Sequence, residues 1–374
     1  MAEPFKEWMN VKLIEVMAEI FARVYNDFDS RAFKKQAEMG LVDMELKARA
    51  QHITNALDYH LPRGFDDFSK IALAALHPSD DASVKGGEFG PEGLLGFAAW
   101  PLTDLVTKRG IDMPEKALPL LKEVTKRFTA EFAIRPFLEQ HTDYTLGVLQ
   151  GWLNDPNRHV RRLISEGSRP RLPWGMRLNK FVSDPALILP LLEALKDDSE
   201  EYVRRSVANN LNDIAKDHPQ KVSAVAKAWL EGASPNRKRL VRHACRTLIK
   251  QGHRATLEAL GYMPVKELSA HLTVQTPVVD YGGALEFCVD LTGGPVGQQL
   301  MIDYAVHFVK ANGSRVPKVF KWKDIKLDNR GQLSSKKKHA IKPITTRVYY
   351  SGEHMLEIIV NGVPVAKQTF QLRM

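Results

Sequence analysis

Three stretches of the chain repeat one another: LGVLQGWLNDPNRHVRRLISE at 146–166, LPLLEALKDDSEEYVRRSVANN at 189–210 and VSAVAKAWLEGASPNRKRLVRHA at 222–244. Each reads as an apolar helix, a polar turn and a second helix that opens on Val-Arg and another basic residue. The basic pairs are Arg161/Arg162, Arg204/Arg205 and Arg242/His243, at intervals of 43 and 38 residues. HEAT and armadillo repeats have periods of about 40–47 residues. One helix pair cannot bury its own apolar face, so such units stack into a solenoid with a concave surface, on which equivalent positions fall in register. If the second helices line that surface, the basic pairs form a ladder. The alternative is that they pair with Asp and Glu of adjacent repeats.

Outward from the repeats, residues 5–265 read as helix after helix. Val11 to Tyr25, Pro119 to Phe132, Leu146 to Leu153, Ile188 to Leu195 and Val222 to Leu230 place apolar residues at the spacing of one buried helical face. His77-Pro78-Ser79-Asp80-Asp81, Asn154-Asp155-Pro156-Asn157 and Gly232-Ala233-Ser234-Pro235-Asn236 supply caps and breakers between them. From about Leu268 the period changes to two. HLTVQTPVV, ALEFCVDL, QQLMIDYAVHFV, KVFKWKDIKL, TTRVYY, HMLEIIVNG and VAKQTFQLR are β-branched and aromatic runs, with Asn361-Gly362 as a hairpin turn between the last two. Seven short strands predict an immunoglobulin-like sandwich. The expected fold is thus a multidomain chain, an all-α HEAT-like repeat solenoid over 1–265 followed by a β-sandwich over 268–374. Lys336-Lys337-Lys338-His339 reads as a basic loop, and it and the run from Lys318 could touch phosphates.

The chain has 374 residues and a net charge of +9, and the placement of that charge is more informative than its size. Residues 1–149 hold 18 Lys and Arg against 23 Asp and Glu, residues 150–250 hold 19 against 11, and residues 268–374 hold 14 against 8. All the positive excess therefore follows residue 150, which suits a polyanionic partner. The N-terminus lacks a signal-peptide pattern and no apolar run approaches the roughly 18–20 residues of a membrane helix, so a cytoplasmic protein with no membrane partner is expected. Two cysteines, Cys245 and Cys288, give neither a disulfide framework nor a Cys-based zinc site, and the 12 histidines have no metal-ligand spacing, so no metal or cofactor is expected.

No nucleophile elbow, P-loop, dinucleotide fingerprint or HExxH motif occurs. What remains is carboxylates and aromatics in basic surroundings. The segment from Val160 ends a helix at Gly167 and enters a proline-fixed loop carrying Arg169, Arg171 and Trp174. Pro173 and Gly175 flank Trp174, which offers a rigid face for stacking. Glu131 with Arg135, and Arg162 with Glu166, stand at i,i+4 and can be ordinary intrahelical ion pairs. Asp213 has no i,i+4 cation, so a partner must come from tertiary packing or from Lys216.

VRRLISEGSRPRLPW at 160–174, YVRRSVANNLNDIAKDHP at 202–219 and AEFAIRPFL at 130–138 resemble segments of the AlkC-type alkylpurine DNA glycosylases, relatives of AlkD. The AlkD branch has a Trp-x-x-x-Asp helix motif, and Trp152 is followed by Asp155, one residue too soon, which favours AlkC. The resemblance implies a HEAT-like fold that holds duplex DNA containing alkylated bases. It also implies monofunctional removal of cationic N3-methylated bases, chiefly 3-methyladenine, in base excision repair, without flipping the base into a pocket. It carries over Glu131, Glu166 and Asp213 as catalytic carboxylates, Trp174 as the stacking or wedging aromatic and Arg162 as a DNA contact. Arg161, Arg169, Arg171, Arg204 and Arg205 join them as candidate DNA contacts. A nucleoid-associated monomer is expected, with the sandwich as a DNA-contacting accessory. A non-enzymatic HEAT-repeat scaffold and a protein-interaction adaptor remain the alternatives.

Overall fold

The computed structural model describes residues 4–80, 90–265, 267–345 and 347–374. They form two compact units, Met1–Asp217 and His218–Met374. Asp81, the end of the expected turn at 77–81, and Thr346, inside the expected strand at 345–350, lie outside the described residues. No described helix is long and apolar enough to cross a membrane.

The first unit is helical. Its helices are α1 (Val11–Val24), α2 (Ser30–Glu38), α3 (Leu46–His60), α4 (Phe65–Ala75), α5 (Trp100–Gly110), α6 (Pro114–Thr125), α7 (Arg135–Gln140), α8 (Thr142–Gly151), α9 (Arg158–Gly167), α10 (Asn179–Ser183), α11 (Leu189–Leu195) and α12 (Glu201–Ile214). Short polar side chains start several of them. Asn10 accepts from the Leu13 N–H at 3.0 Å, Asp29 from Ala32 at 2.9 Å and Asn157 from His159 at 2.9 Å, each satisfying a donor left open by the first turn. Proline opens α6, where its missing N–H costs nothing. The first two sequence repeats are the pairs α8/α9 and α11/α12. Their second helices, α9 and α12, pack side by side, as stacked repeats require. The helix expected through Phe132 ends at Thr125, so Glu131 lies in the turn before α7.

The second unit holds α13 (Pro219–Leu230), α14 (Pro235–Ala244), α15 (Arg246–Lys250) and α16 (Arg254–Ala259), followed by the strands. The third repeat is α13/α14. Helix gives way to strand between Ala259 and Ser269, whereas the compact units divide after Asp217. The strands are β1 (Ser269–Val274), β2 (Val278–Asp280), β3 (Ala284–Thr292), β4 (Gln299–Val309), β5 (Arg315–Lys326), β6 (Leu333–Ala340), β7 (Gly352–Val360) and β8 (Val363–Arg373). They form sheets of order β1-β3-β6 and β2-β8-β7-β4-β5, antiparallel except for β2 beside β8. Alternate residues of facing strands fill the space between them: Leu285, Phe287, Val289 and Leu291 from β3 meet Ile302, Tyr304 and Val306 from β4 and Leu356 and Ile358 from β7. The architecture is HEAT-like helical repeats followed by an immunoglobulin-like sandwich.

Three strand expectations need correction. HLTVQTPVV is two strands, because Pro277 cannot donate to a ladder and the chain turns there. Lys336-Lys337-Lys338-His339 is not a loop but the centre of β6, paired with β3 from Lys336↔Cys288 to His339↔Leu285. Its Lys336 and Lys338 point outward, so the strand carries little apolar signal. Among the described residues of TTRVYY none lies in a named strand; Arg347 makes only an isolated bridge with Ile344, just before the segment. The Asn361-Gly362 turn stands as expected, with φ of 47° and 79°. A Cβ on Gly362 would lie 2.6 Å from Leu257 Cδ1 and 2.9 Å from Gly252 Cα, so close approach as well as conformation requires glycine.

Arg242, the third basic position of the repeat, is used within this unit. Its guanidinium donates to Asp324 Oδ2 at 2.6 Å and to the Tyr262 hydroxyl at 2.5 Å, and Tyr262 itself donates to Asp324 at 2.6 Å. The Asn361 amide reaches the Met263 carbonyl at 2.8 Å. Together these contacts tie the last helices to the five-stranded sheet.

Candidate active site

The expected carboxylates come from three separate segments of the first unit and converge. Glu166 lies near the end of α9, Asp213 near the end of α12 and Glu131 in the turn before α7. The packing of α9 on α12 is apolar through Val160, Leu163, Ile164, Val203 and Val207, then becomes polar. There Ser165 Oγ donates to Ser206 Oγ at 2.8 Å, Ser206 Oγ donates to Glu166 Oε2 at 2.6 Å, and Asn210 Nδ2 donates to the Ser165 carbonyl at 2.9 Å. Gly167 permits the close approach of α9 to the turn before α7, because a Cβ there would fall 2.5 Å from Ile134 Cγ2.

Charges alternate across this seam. Arg162 Nη1 lies 2.8 Å from Glu131 Oε2, and its Nη2 lies 3.6 Å from Glu166 Oε2. Arg169 Nη1 donates to Glu166 Oε1 at 2.6 Å while its Nε donates to Asp213 Oδ2 at 2.8 Å. Lys216 closes the row, 3.0 Å from Asp213 Oδ1. Thr129 adds a hydrogen bond to Glu131 at 2.9 Å, and the Arg162 guanidinium lies 4.9 Å from the centre of the Tyr202 ring. Glu166 is 5% exposed and Asp213 1%. Burial by itself would lower the Arg162 and Arg169 guanidiniums; the carboxylates around them reverse this and hold both above the ordinary arginine range. Burial raises the Tyr202 hydroxyl against the opposing pull of Arg162.

A fourth cation lies beneath. Arg135 is fully buried and donates to the Gly167 carbonyl at 2.7 Å and, through Nε, to the Met176 carbonyl at 2.8 Å. It thereby brackets the loop that carries Trp174. The i,i+4 reading of Glu131 with Arg135 is therefore replaced: Glu131 pairs with Arg162 and Arg135 bonds backbone. Burial lowers Arg135 to about 10, with the like charge of Arg169 adding to the effect and the three carboxylates opposing it. For Asp213, both partners open at the sequence level are present, Lys216 locally and Arg169 from tertiary packing.

The remaining candidates differ in how far they are occupied. Arg161 makes a bidentate pair with Asp198 of the next repeat, at 2.6 and 3.0 Å, and reaches the Asp155 carbonyl. Arg171 pairs with Asp217 at 2.7 and 2.8 Å. Arg204 bonds the Asp198 and Ser199 carbonyls. Arg205 is exposed. Trp174 is 66% exposed, the most open aromatic of the site.

The sequence does not single out Ser206 or Tyr202, it offers Arg135 only as a helical partner of Glu131, and it holds one further readable spacing. Trp100 and Asp104 stand four apart on α5, so Trp-x-x-x-Asp does occur, away from the Trp152 and Asp155 considered for it. Burial pushes the Asp104 carboxyl up to about 6, opposed by a hydrogen bond from Trp100, by Lys47 and by Thr103. Trp100 stacks on Phe132, the residue after Glu131, at 6.0 Å.

This combination defines a class of chain, helical repeats that gather carboxylates and arginines at one seam and are followed in sequence by an immunoglobulin-like domain. Residues 269–374 match the family described as the C-terminal Ig-like domain of the uncharacterised protein YhaZ. The uncharacterised YhaZ of Bacillus subtilis (strain 168) is 36% identical over 369 residues, 98% of this chain and 99% of that one. The solved structure of the Pseudomonas fluorescens alkylpurine DNA glycosylase AlkC, bound to DNA containing an abasic site analogue, is 35% identical, covers 100% of both chains and superposes with a TM-score of 0.84. The chain belongs to the AlkC family.

Proposed function

We propose that the protein is a DNA glycosylase of base excision repair, hydrolysing the N-glycosidic bond of cationic N3-methylated bases, chiefly 3-methyladenine, in duplex DNA. The observation that carries this reading is the convergence of Glu131, Glu166 and Asp213 among arginines in a chain that aligns end to end with AlkC.

Methylation at N3 of adenine makes the base a cation and weakens its bond to C1′, so no acid is needed to protonate the leaving group. As that bond breaks, the sugar acquires oxocarbenium character. Carboxylates in a partly water-excluded seam stabilise it, and water adds to C1′ as the neutral base departs with the bonding pair. Glu166 takes the direct role and accepts the water's proton; Asp213 and Glu131 support the same charge. Trp174 stacks or wedges at the lesion, which stays out of any pocket. Arg161, Arg162, Arg204 and Arg205 offset the cost of carboxylates near phosphates by holding the flanking backbone, while the further candidate contacts Arg169, buried between Glu166 and Asp213, and Arg171, paired with Asp217, are less available to it. Exposed Arg205 is the most available of them for a phosphate. The internal pair of Arg161 with Asp198 favours a structural role for that residue, whereas the second reading, a non-enzymatic scaffold whose arginines grip phosphates, takes its support from the burial of Glu166 and Asp213 in ion pairs with Arg169.

In this reading residues 1–265 are the glycosylase domain and 268–374 a DNA-contacting accessory, in a cytoplasmic, nucleoid-associated monomer. Selectivity then derives from the lesion's charge and lability. Free-base release should therefore be far faster from duplex containing 3-methyladenine than from duplex containing hypoxanthine, and equal rates would remove charge-based selection.

A further inference from the structure

Trp174 has a φ of 64°, in the left-handed region that side chains of its size rarely adopt. Two-thirds exposed, it gains little from burial that could hold it there. The loop supports itself in part, through Gly175 N to the Leu172 carbonyl at 3.1 Å and Leu178 N to the Pro170 carbonyl at 3.2 Å. Arg135 holds the far side at Gly167 and Met176. Of these bonds only that of Gly175 N touches the peptide unit that carries the Trp174 carbonyl, and none engages the carbonyl oxygen itself. The contact that does comes from a distant helix: Lys47 on α3, 127 residues earlier, donates its ammonium to the Trp174 carbonyl.

We infer that Lys47 is a positioning residue for Trp174, anchoring from α3 the left-handed turn that presents the indole. Two neighbours hold the ammonium in place. It lies 5.5 Å from the centre of the Phe132 ring, within reach of a cation–π attraction, and Asp104 on α5 attracts it. Phe132 follows Glu131 directly, so the anchor of the aromatic and the carboxylate seam share a support. The N-terminal helices then do more than cap the repeats, because α3 sets the geometry of a residue in the candidate site. This inference rests on the reading of Trp174 as a lesion-contacting aromatic.

The test uses the full chain labelled with 5-fluorotryptophan. Its six tryptophans give separate fluorine resonances, and Trp174→Phe identifies that of Trp174. Lys47→Met keeps the apolar stem and removes the donor. It should shift and broaden the Trp174 resonance, with a change besides only at Trp100, whose ring stacks on Phe132 and bonds Asp104, and slow single-turnover release of 3-methyladenine by about tenfold, as misplacement of a positioned group does. Lys47→Arg, which retains a donor, should restore both. An unmoved Trp174 resonance, or a moved one with a wild-type rate, overturns the inference. If the wild-type protein releases no base, the glycosylase reading fails by itself, and the fluorine spectrum alone decides whether Lys47 holds Trp174.

Discussion

Glu166→Gln is expected to slow base excision by roughly 10²–10³-fold, the usual cost of removing one electrostatic contributor to a charged transition state. The substitution keeps the size and most of the hydrogen bonding of the side chain. Its amide oxygen can face Arg169, and the Ser206 hydroxyl can turn to accept from the amide nitrogen. The fold should therefore survive with a loss of about 1–2 kcal/mol, the cost of a disturbed buried hydrogen bond. Affinity for duplex DNA should hold, because the arginines that meet the backbone are untouched. Single-turnover release read beside fluorescence anisotropy on duplex carrying an abasic analogue separates the two effects. A variant with wild-type turnover would remove Glu166 from the reaction.

The second large effect is expected at Arg169. Its guanidinium bonds both Glu166 and Asp213, at 2.6 and 2.8 Å, and it is itself buried. Replacing it with methionine leaves two buried carboxylates without their shared cation. Breaking a buried pair from one side costs about 3–5 kcal/mol, far more than the net worth of the intact pair. Lys216 and Arg162 compensate in part, since each still contacts one of the acids. Denaturant unfolding of Arg169→Met should show this loss. Adding Glu166→Gln and Asp213→Asn should recover much of it, because the penalty is one of unpaired charge. A loss below about 1 kcal/mol in the single variant would mean that the acids do not depend on the bridge.

The repeats were legible because a stacked helix pair imposes its period on both apolar and basic positions, so Arg161, Arg204 and Arg242 announced one another. What those arginines contact was not legible. Arg161 meets Asp198 in the following repeat and Arg242 meets Asp324 in a strand, and neither pairing leaves a trace in local spacing. The sandwich was readable where one face of a strand is apolar, as in β3 and β7, and unreadable in β6, whose outward Lys336 and Lys338 mask its alternation. Glu166 and Asp213 came from the resemblance, not from their surroundings. The helix that would have paired Glu131 with Arg135 stops at Thr125, and with that the nearest-neighbour argument failed. Arg135 and Lys47 act on backbone carbonyls far along the chain, contacts that only a folded structure can bring together. Trp100 and Asp104 are visible as a Trp-x-x-x-Asp spacing, which Trp152 with Asp155 only approximates.

Release of free base from methylated duplex is the most direct test of the central claim. Binding alone does not discriminate, since a scaffold with the same arginines also grips phosphates. The protein is expected to liberate free 3-methyladenine and leave abasic sites in the methylated duplex while leaving unmethylated duplex intact. Tight binding of the methylated duplex with no base released would contradict the account and leave a helical-repeat scaffold in its place.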